Sequence, residues 1–253
     1  MPGYRFVLHG SNIQIIKQIN EAAIRKLSKP FYDKKNLEGI ADIVRGIVIA
    51  AIISTDTWKS LAGNSPKGLD AHFGIPKGEN ADRLRSLLDI WSKEVRVVPH
   101  NIKRGRDQNI FSYTFYAIQA DWANVLNSSA GRVINDSSNS RLGKTTTVIP
   151  WLQWLLIAGD QTKISGYQIA FGNYGKNSRS GKAIMKPQME WIVPPEFSPF
   201  STDNNFITRA LEDLSKEGSI LREKLTLILQ AIAESAFGST LGFDILNFDI
   251  DSI

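Results

Sequence analysis

Thr147-Val-Ile-Pro-Trp-Leu-Gln-Trp-Leu-Leu-Ile-Ala-Gly-Asp160 is the segment around which the rest of the chain is organised. Its continuous apolar run predicts a buried helix, with Pro150 in the first turn, where a missing N–H leaves no bond unmade. Residues 163–171 then alternate, which predicts a strand. A Gly/Ser/basic loop over 172–183 and a return through Pro194-Pro195 lead into a helix over 205–215. Together these predict a helix–strand–loop–helix unit without an evident reactive group.

The core of this unit is predicted from its large apolar side chains. Those expected to anchor it are Trp151, Trp154, Leu155 and Phe171. Helical spacing of apolar residues predicts further helices over 11–27, 37–54, 80–91 and 219–236, with Thr55 or Asp56 capping a short helix. Further strands are predicted over 94–98 and 111–120, antiparallel to each other, and within 184–193. The Ser/Asn/Gly-rich segment 128–143 is predicted to be a polar loop.

These elements predict an α+β fold: N-terminal amphipathic helices, a small, mostly antiparallel sheet of four to five strands with long loops, and C-terminal helices. Residues 1–215 are expected to form an α+β core. Residues 216–253 are expected to add a helix and an apolar, acidic tail used for docking, within a single domain overall.

Composition excludes several classes of site. The 253 residues include no cysteine and three histidines without ligand spacing, so disulfides, thiolate metal sites and a cysteine nucleophile are excluded. A magnesium site made only of carboxylates stays open. The longest apolar run, near Ile47, is far shorter than the roughly 20 residues that span a bilayer. The sequence therefore predicts a protein made in a cytoplasm, with no membrane partner and no cofactor.

Basic residues concentrate in the predicted loops, and the formal net charge is +5. Such runs are commonly solvated faces, but they are also what a protein uses to meet phosphates or acidic partners. The candidate contacts to a partner or to DNA are Lys103, Arg104, Arg106, Arg141, Lys144, Lys176, Arg179 and Lys182.

No motif predicts catalysis. Gly143-Lys144-Thr145-Thr146 ends like a phosphate-binding P-loop, but Ser138 occupies the position of the required first glycine and Pro150 precedes the following helix. Neither a paired-carboxylate site nor a Gly-x-Ser-x-Gly signature is evident. The chain is therefore predicted not to be an enzyme, with no catalytic, cofactor-binding or metal-binding residue.

Three segments carry a family resemblance: residues 43–75, with their helix and Phe73-Gly74 turn; residues 149–172; and residues 178–212, which end in Asn-Phe-Ile-Thr-Arg-Ala-Leu-Glu. In this order they resemble structural virion proteins of tailed bacteriophages, of the neck or tail-completion (head–tail connector) type. The resemblance implies a homo-oligomeric, hexameric ring, formed by the 1–215 core, between the head connector and the tail.

The implied partners are other virion proteins, namely the portal or connector and the tail tube or sheath. The implied location is the neck or tail region of the virion, after synthesis in the host bacterial cytoplasm. The basic loops would make non-specific contact with passing double-stranded DNA. The alternative is a DNA-binding accessory protein of phage DNA packaging or ejection.

Overall fold

The long helices that enclose the hydrophobic core come from both ends of the part of the chain that the structure describes. The structure is a computed structural model, and it describes residues 29–100, 103–104, 109–110, 113–116, 122–139, 143–159, 163–198, 204–216 and 219–237. The helix predicted over 11–27 and the tail after residue 237 lie outside these residues.

The helices, in chain order, are α1 (Lys34–Ser54), α2 (Asp56–Leu61), α3 (Leu69–His72), α4 (Asn80–Glu94), α5 (Ala123–Leu126), α6 (Trp151–Gln153), α7 (Phe206–Ser215) and α8 (Ile220–Phe237). The strands are β1 (Arg96–Pro99), β2 (Lys103–Arg104), β3 (Asn109–Ile110), β4 (Tyr113–Tyr116), β5 (Val133–Asn139), β6 (Gly143–Ile149), β7 (Lys163–Phe171) and β8 (Ala183–Ile192).

Helix α1 crosses the middle of the fold. Asp33 caps its start by accepting a hydrogen bond from the Lys35 amide at 3.0 Å. Its buried stripe is Ile40, Val44, Val48 and Ile52. This spacing of four residues places the stripe on one face, which contacts α4, α7 and α8. Ile43 and Ile53, which lie away from this stripe, are exposed.

Helix α6 is the apolar centre predicted from the opening segment. Trp151 and Leu155 are fully buried, and the Trp151 ring stacks on that of Phe73 with centroids 5.9 Å apart. Pro150 is the residue immediately before the helix. After Gln153 the segment Trp154–Ala158 continues as one π-helical stretch. The predicted helix and the core anchors Trp151 and Leu155 are thus confirmed, and Trp154 packs against the core while partly buried. Phe171 is only partly buried and lies outside this core cluster, so its predicted role as a core anchor was wrong.

The strands confirm the α+β class but pair differently from a single four- to five-stranded sheet. Those that the structure describes form four separate antiparallel ribbons of two strands: β1–β4, β2–β3, β5–β6 and β7–β8. The β1–β4 pairing, with Val97 opposite Phe115, is the one predicted. The strand periodicity was therefore predicted correctly, while the joining of the strands into one sheet was not.

Ribbon β5–β6 occupies much of the segment predicted to be a polar loop, and this prediction was wrong. The pairing runs from Val133 opposite Ile149 to Asn139 opposite Gly143. Val133 and Ile149 are buried in the core and fix the base of the ribbon. Asn, Asp and Ser have low strand propensity, so the outer half looks like a loop in sequence. The pairing partner and the buried base decide the conformation instead.

Ribbon β7–β8 is the longest pairing. Its register shifts between Ser165 and Tyr167, where Gly166 has a φ of +80°, a conformation that glycine adopts without strain. The strand predicted within 184–193 is β8, which spans Ala183–Ile192. The ribbon is followed by α7, which Asn205 caps reciprocally with Thr208. Helix α8 then packs into the same core through Leu221, Leu225 and Leu229.

Candidate functional site

The loop that joins β7 to β8, residues 172–182, is held by its own backbone. The Gly172 amide donates to the Lys182 carbonyl at 2.8 Å, and the Tyr174 amide donates to the Gly181 carbonyl at 3.3 Å. A short 3-10 turn over Gly175–Asn177 forms its tip. These hydrogen bonds close the base of the loop.

Lys182 fastens this loop to the turn that precedes α3. Its Nζ donates to Asp70 Oδ2 at 2.9 Å, to the Gly63 carbonyl at 2.9 Å and to the Ser65 carbonyl at 3.2 Å. An ammonium group has three protons, so all of them have intramolecular acceptors. The contact role predicted for Lys182 stays a prediction, and in this conformation its ammonium group is occupied within the chain.

The carboxylate of Asp70 is enclosed on the other side of this bridge. Its side chain is 5% exposed, and its Oδ1 has no hydrogen-bond partner among the described residues. A Cβ at Gly68 would lie 2.7 Å from this oxygen and 2.7 Å from the Ser60 carbonyl oxygen. The turn and α3 therefore depend on glycine at position 68 and on a cation at position 182.

Arg179 makes a second bridge from the same loop. Its guanidinium lies over Gly74, where an added Cβ would be 3.0 Å from Nη2, and Nη1 donates to the Ile134 carbonyl at 3.4 Å. The Arg179 carbonyl accepts from the Lys77 amide at 2.9 Å. Desolvation by burial lowers the pKa of Arg179 below its ordinary value. No carboxylate within the described ranges pairs with this guanidinium.

His72, at the end of α3, lies behind the loop against two aromatic rings. Its ring centroid is 4.9 Å from that of Phe171, and Trp191 Nε1 donates to His72 Nδ1 at 3.3 Å. Since an indole nitrogen only donates, Nδ1 accepts and the imidazole is neutral. Desolvation lowers the pKa of His72, while the negative charges of Glu196 and Asp70 act in the opposite direction.

The 172–182 loop, the turn that contains Lys67 and the turn that contains Lys77 line an open groove of about 840 Å³. We call it the lysine groove; its cationic members are Lys67, Lys77, Lys176 and Lys182, and its floor includes Phe171. No acidic residue is among the residues that line it. Since Lys182 is occupied, the groove offers three exposed ammonium groups to solvent.

A second surface lies where ribbon β5–β6 leaves the core. Ile134 and Val148 are opposite each other in the register and are 63% and 50% exposed. Their neighbours Val133 and Ile149 point the other way, into the core. We call Ile134 and Val148 the ribbon patch. Exposed β-branched side chains paired across a two-stranded ribbon make an apolar contact surface with open strand edges.

The structure brings together only some of the predicted contact residues. Lys176, Arg179 and Lys182 belong to one loop, with Lys176 exposed at its tip. Lys103 and Arg104 form β2, Lys144 lies in β6, and their side chains are outside the description. Arg106 and Arg141 lie outside the described residues.

Strand β6 also contains the whole Gly-Lys-Thr-Thr fragment. The fragment thus forms one strand of an antiparallel ribbon, and no helix begins at Lys144. A P-loop needs a helix beginning there, and this fragment therefore lacks that geometry.

Sequence reasoning missed Lys67 and Lys77. A signal was present, since both occur in the tripeptide Pro-Lys-Gly, at 66–68 and at 76–78. Proline followed within two residues by glycine is typical of a tight turn, and a turn exposes the lysine between them. That both turns face the 172–182 loop follows only from the tertiary structure.

Comparisons of the chain with protein-family models, with curated proteins and with solved structures find no match. Within the described ranges, no helix combines the length and apolar character needed to cross a bilayer. In the same part of the chain, no cluster of three histidine or acidic side chains is placed to hold a metal ion.

Proposed function

We propose that the protein is a structural assembly component of a tailed phage, of the neck or tail-completion type, whose subunits form a ring between the head connector and the tail. The observation that carries the proposal is the ribbon patch. The resemblance of the three sequence segments adds the phage context, and the patch supplies a surface through which copies of the chain would meet.

A ring needs two different, complementary surfaces on each subunit. Ribbon β5–β6 supplies an exposed apolar one, because Val133 and Ile149 are buried at its base while Ile134 and Val148 face solvent. A concave surface of about 840 Å³ lies between α1 and α7, where Ile47, Ala210 and Leu214 line it together with the charged residues Arg209 and Asp213. An exposed apolar pair on a ribbon and a groove with an apolar part are two different surfaces, as head-to-tail association requires.

The expected contribution of the ribbon patch follows from its exposure. Burying a fully exposed Ile or Val side chain contributes about 1.5–3 kcal/mol. Because Ile134 and Val148 are 63% and 50% exposed, burial at an interface would add roughly half of that each, about 2 kcal/mol together. This corresponds to about a thirtyfold change in a dissociation constant.

The proposal is tested by measuring the mass of the full chain. Light scattering after size exclusion should give a multimer, and negative-stain images should show rings. The variant Ile134→Thr/Val148→Thr keeps β-branching and weakens association by at least about tenfold. Its control is Thr147→Ser, at an exposed site on the opposite face of the ribbon. The proposal would be overturned if the wild-type protein stayed monomeric at high concentration and also failed to bind portal and tail-tube proteins.

The second candidate function is that of a DNA-binding accessory protein of phage packaging or ejection. The lysine groove is the observation that favours it. Binding through that groove is compatible with either function, so it requires its own experiment.

A further inference from the structure

We infer that the lysine groove binds the phosphodiester backbone of nucleic acid, through Lys67, Lys77 and Lys176, without reading base sequence. This inference stands on the groove alone and does not depend on the chain forming a ring. It adds two residues, Lys67 and Lys77, that lie more than 90 positions from the loop in sequence.

The three lysines are available for a ligand. Each is exposed, and in the part of the chain that the structure describes none of their ammonium groups has a carboxylate partner. The carboxylate of Asp70, which lies beside the groove residue Lys182, is buried and paired with it. By contrast, Lys34, Lys59 and Lys93 on the helices each pair with an acidic residue three or four positions away.

The groove also holds its lysines in a fixed arrangement. Lys67 and Lys77 sit on turns, and Lys176 sits at the tip of the loop. Lys182 ties the first turn to the loop through the Gly63 and Ser65 carbonyls, and the Lys77 amide ties the second turn to it through the Arg179 carbonyl. The three lysines thus line one groove, on segments that these hydrogen bonds hold together.

The shape of the groove favours a chain of phosphates. It is open, and glycines 172, 175 and 181 line its loop side. At Gly175, with a φ of +53°, an added Cβ would meet nothing within 4 Å, so the backbone there is unobstructed. Lysines are flexible point charges that suit phosphates in varied orientations. A long polyanion could lie across such a surface and contact several lysines at once.

An acidic peptide is the other polyanion to consider. Peptide recognition combines charge with apolar pockets or with strand addition. Among the residues lining the groove, only Pro66 and Phe171 have purely apolar side chains. The groove thus has more lysines than apolar side chains, which favours contacts to phosphodiesters, because these contacts depend mainly on charge.

The test is binding of a fluorescein-labelled duplex to the full chain, followed by anisotropy over a salt series. The logarithm of the binding constant should fall with the logarithm of salt, with a slope of about −0.9 per phosphate neutralised. The variant Lys67→Gln/Lys77→Gln/Lys176→Gln should make the slope shallower by about 2.7 and weaken binding at least about tenfold at low salt.

The matched control is Lys34→Gln/Lys59→Gln/Lys93→Gln, which removes the same charge from helix surfaces outside the groove. It should leave most of the affinity and slope intact. Thermal melts of both triple variants establish that each is folded. Equal losses in the two variants, or a wild-type protein without salt-dependent DNA binding, would overturn the inference.

Two competitors identify the ligand class. Inorganic phosphate at the same phosphate concentration as unlabelled duplex should compete poorly, because it contacts one lysine at a time. Poly-glutamate matched in charge should also compete less well than duplex. Displacement by phosphate as effective as by duplex would make the groove a simple anion site, and stronger displacement by poly-glutamate would make it a protein-binding site; either result overturns the inference.

Discussion

Replacing Lys182 by methionine tests the bridge that holds the 172–182 loop to the helical core. Methionine preserves the length and apolar stem of lysine but removes its charge and its three donated hydrogen bonds. The Asp70 carboxylate, 5% exposed, would then lose its cation while its Oδ1 already lacks a hydrogen-bond partner among the described residues. We expect the variant to be strongly destabilised.

The magnitude follows from the burial of the two partners. Removing one member of a buried ion pair costs about 3–5 kcal/mol. Lys182 is 31% exposed, so water reaches the pair from one side and the lower end, about 3 kcal/mol, applies. For a chain of this length that corresponds to a fall in melting temperature of about 6–12 °C.

Urea unfolding of the full chain measures the effect, and a double-mutant cycle assigns it. Asp70→Asn combined with Lys182→Met removes the unpaired charge, so the double variant should be more stable than the sum of the single losses by about 1–2 kcal/mol. Lys186→Met, at an exposed position of β8, is the control and should change stability by less than about 0.5 kcal/mol. Additive single losses, or a Lys182→Met variant as stable as the control, would refute the bridge.

Two further predictions concern the same region. Gly68→Ala should cost about 1–3 kcal/mol in urea unfolding, because its Cβ would meet the Ser60 carbonyl at 2.7 Å. Gly46→Ala, in α1, is the comparison, since an added Cβ there meets nothing within 4 Å; a loss at Gly68 no larger than at Gly46 would contradict the packing. Burial lowers the pKa of His72 from 6.5. Its contribution to stability should therefore be fully present above pH 6.5 and should be lost as the pH falls towards the folded-state pKa, because the unfolded state then binds a proton that the folded state does not. Melting temperatures measured from pH 8 down to about 5 should therefore fall less in His72→Asn than in wild type; equal falls would show that other groups control the pH dependence.

The helices were predictable because their information is local. The stripe from Ile40 to Ile52 repeats every four residues, Thr55 accepts from the Trp58 amide as its N-cap position predicts, and Asn205 caps α7. Each signal needs only neighbours within one or two turns. The helices could therefore be predicted without knowledge of the rest of the fold.

Ribbon β5–β6 and the lysine groove were not predictable in the same way. Residues 135–139 have the composition of a loop, and the buried pair Val133–Ile149 that makes them a strand is visible only when the partner is known. Lys182 looked like an exposed contact residue, yet Asp70 lies 112 positions away in sequence. Long-range pairing decides both features, and sequence periodicity carries no record of it.

The Lys182–Asp70 bridge and the lysine groove both depend on Lys182. Lys182 lines the groove but uses its charge internally, and that use places Lys67 and Lys176 on the same surface. Loss of the bridge should therefore weaken DNA binding by more than one charge accounts for, because the loop and the turn would no longer be held together. Loss of a groove lysine should weaken binding and leave stability unchanged, since none pairs within the described residues. The two classes of variant thus separate the residue that positions the groove from those that would contact its ligand.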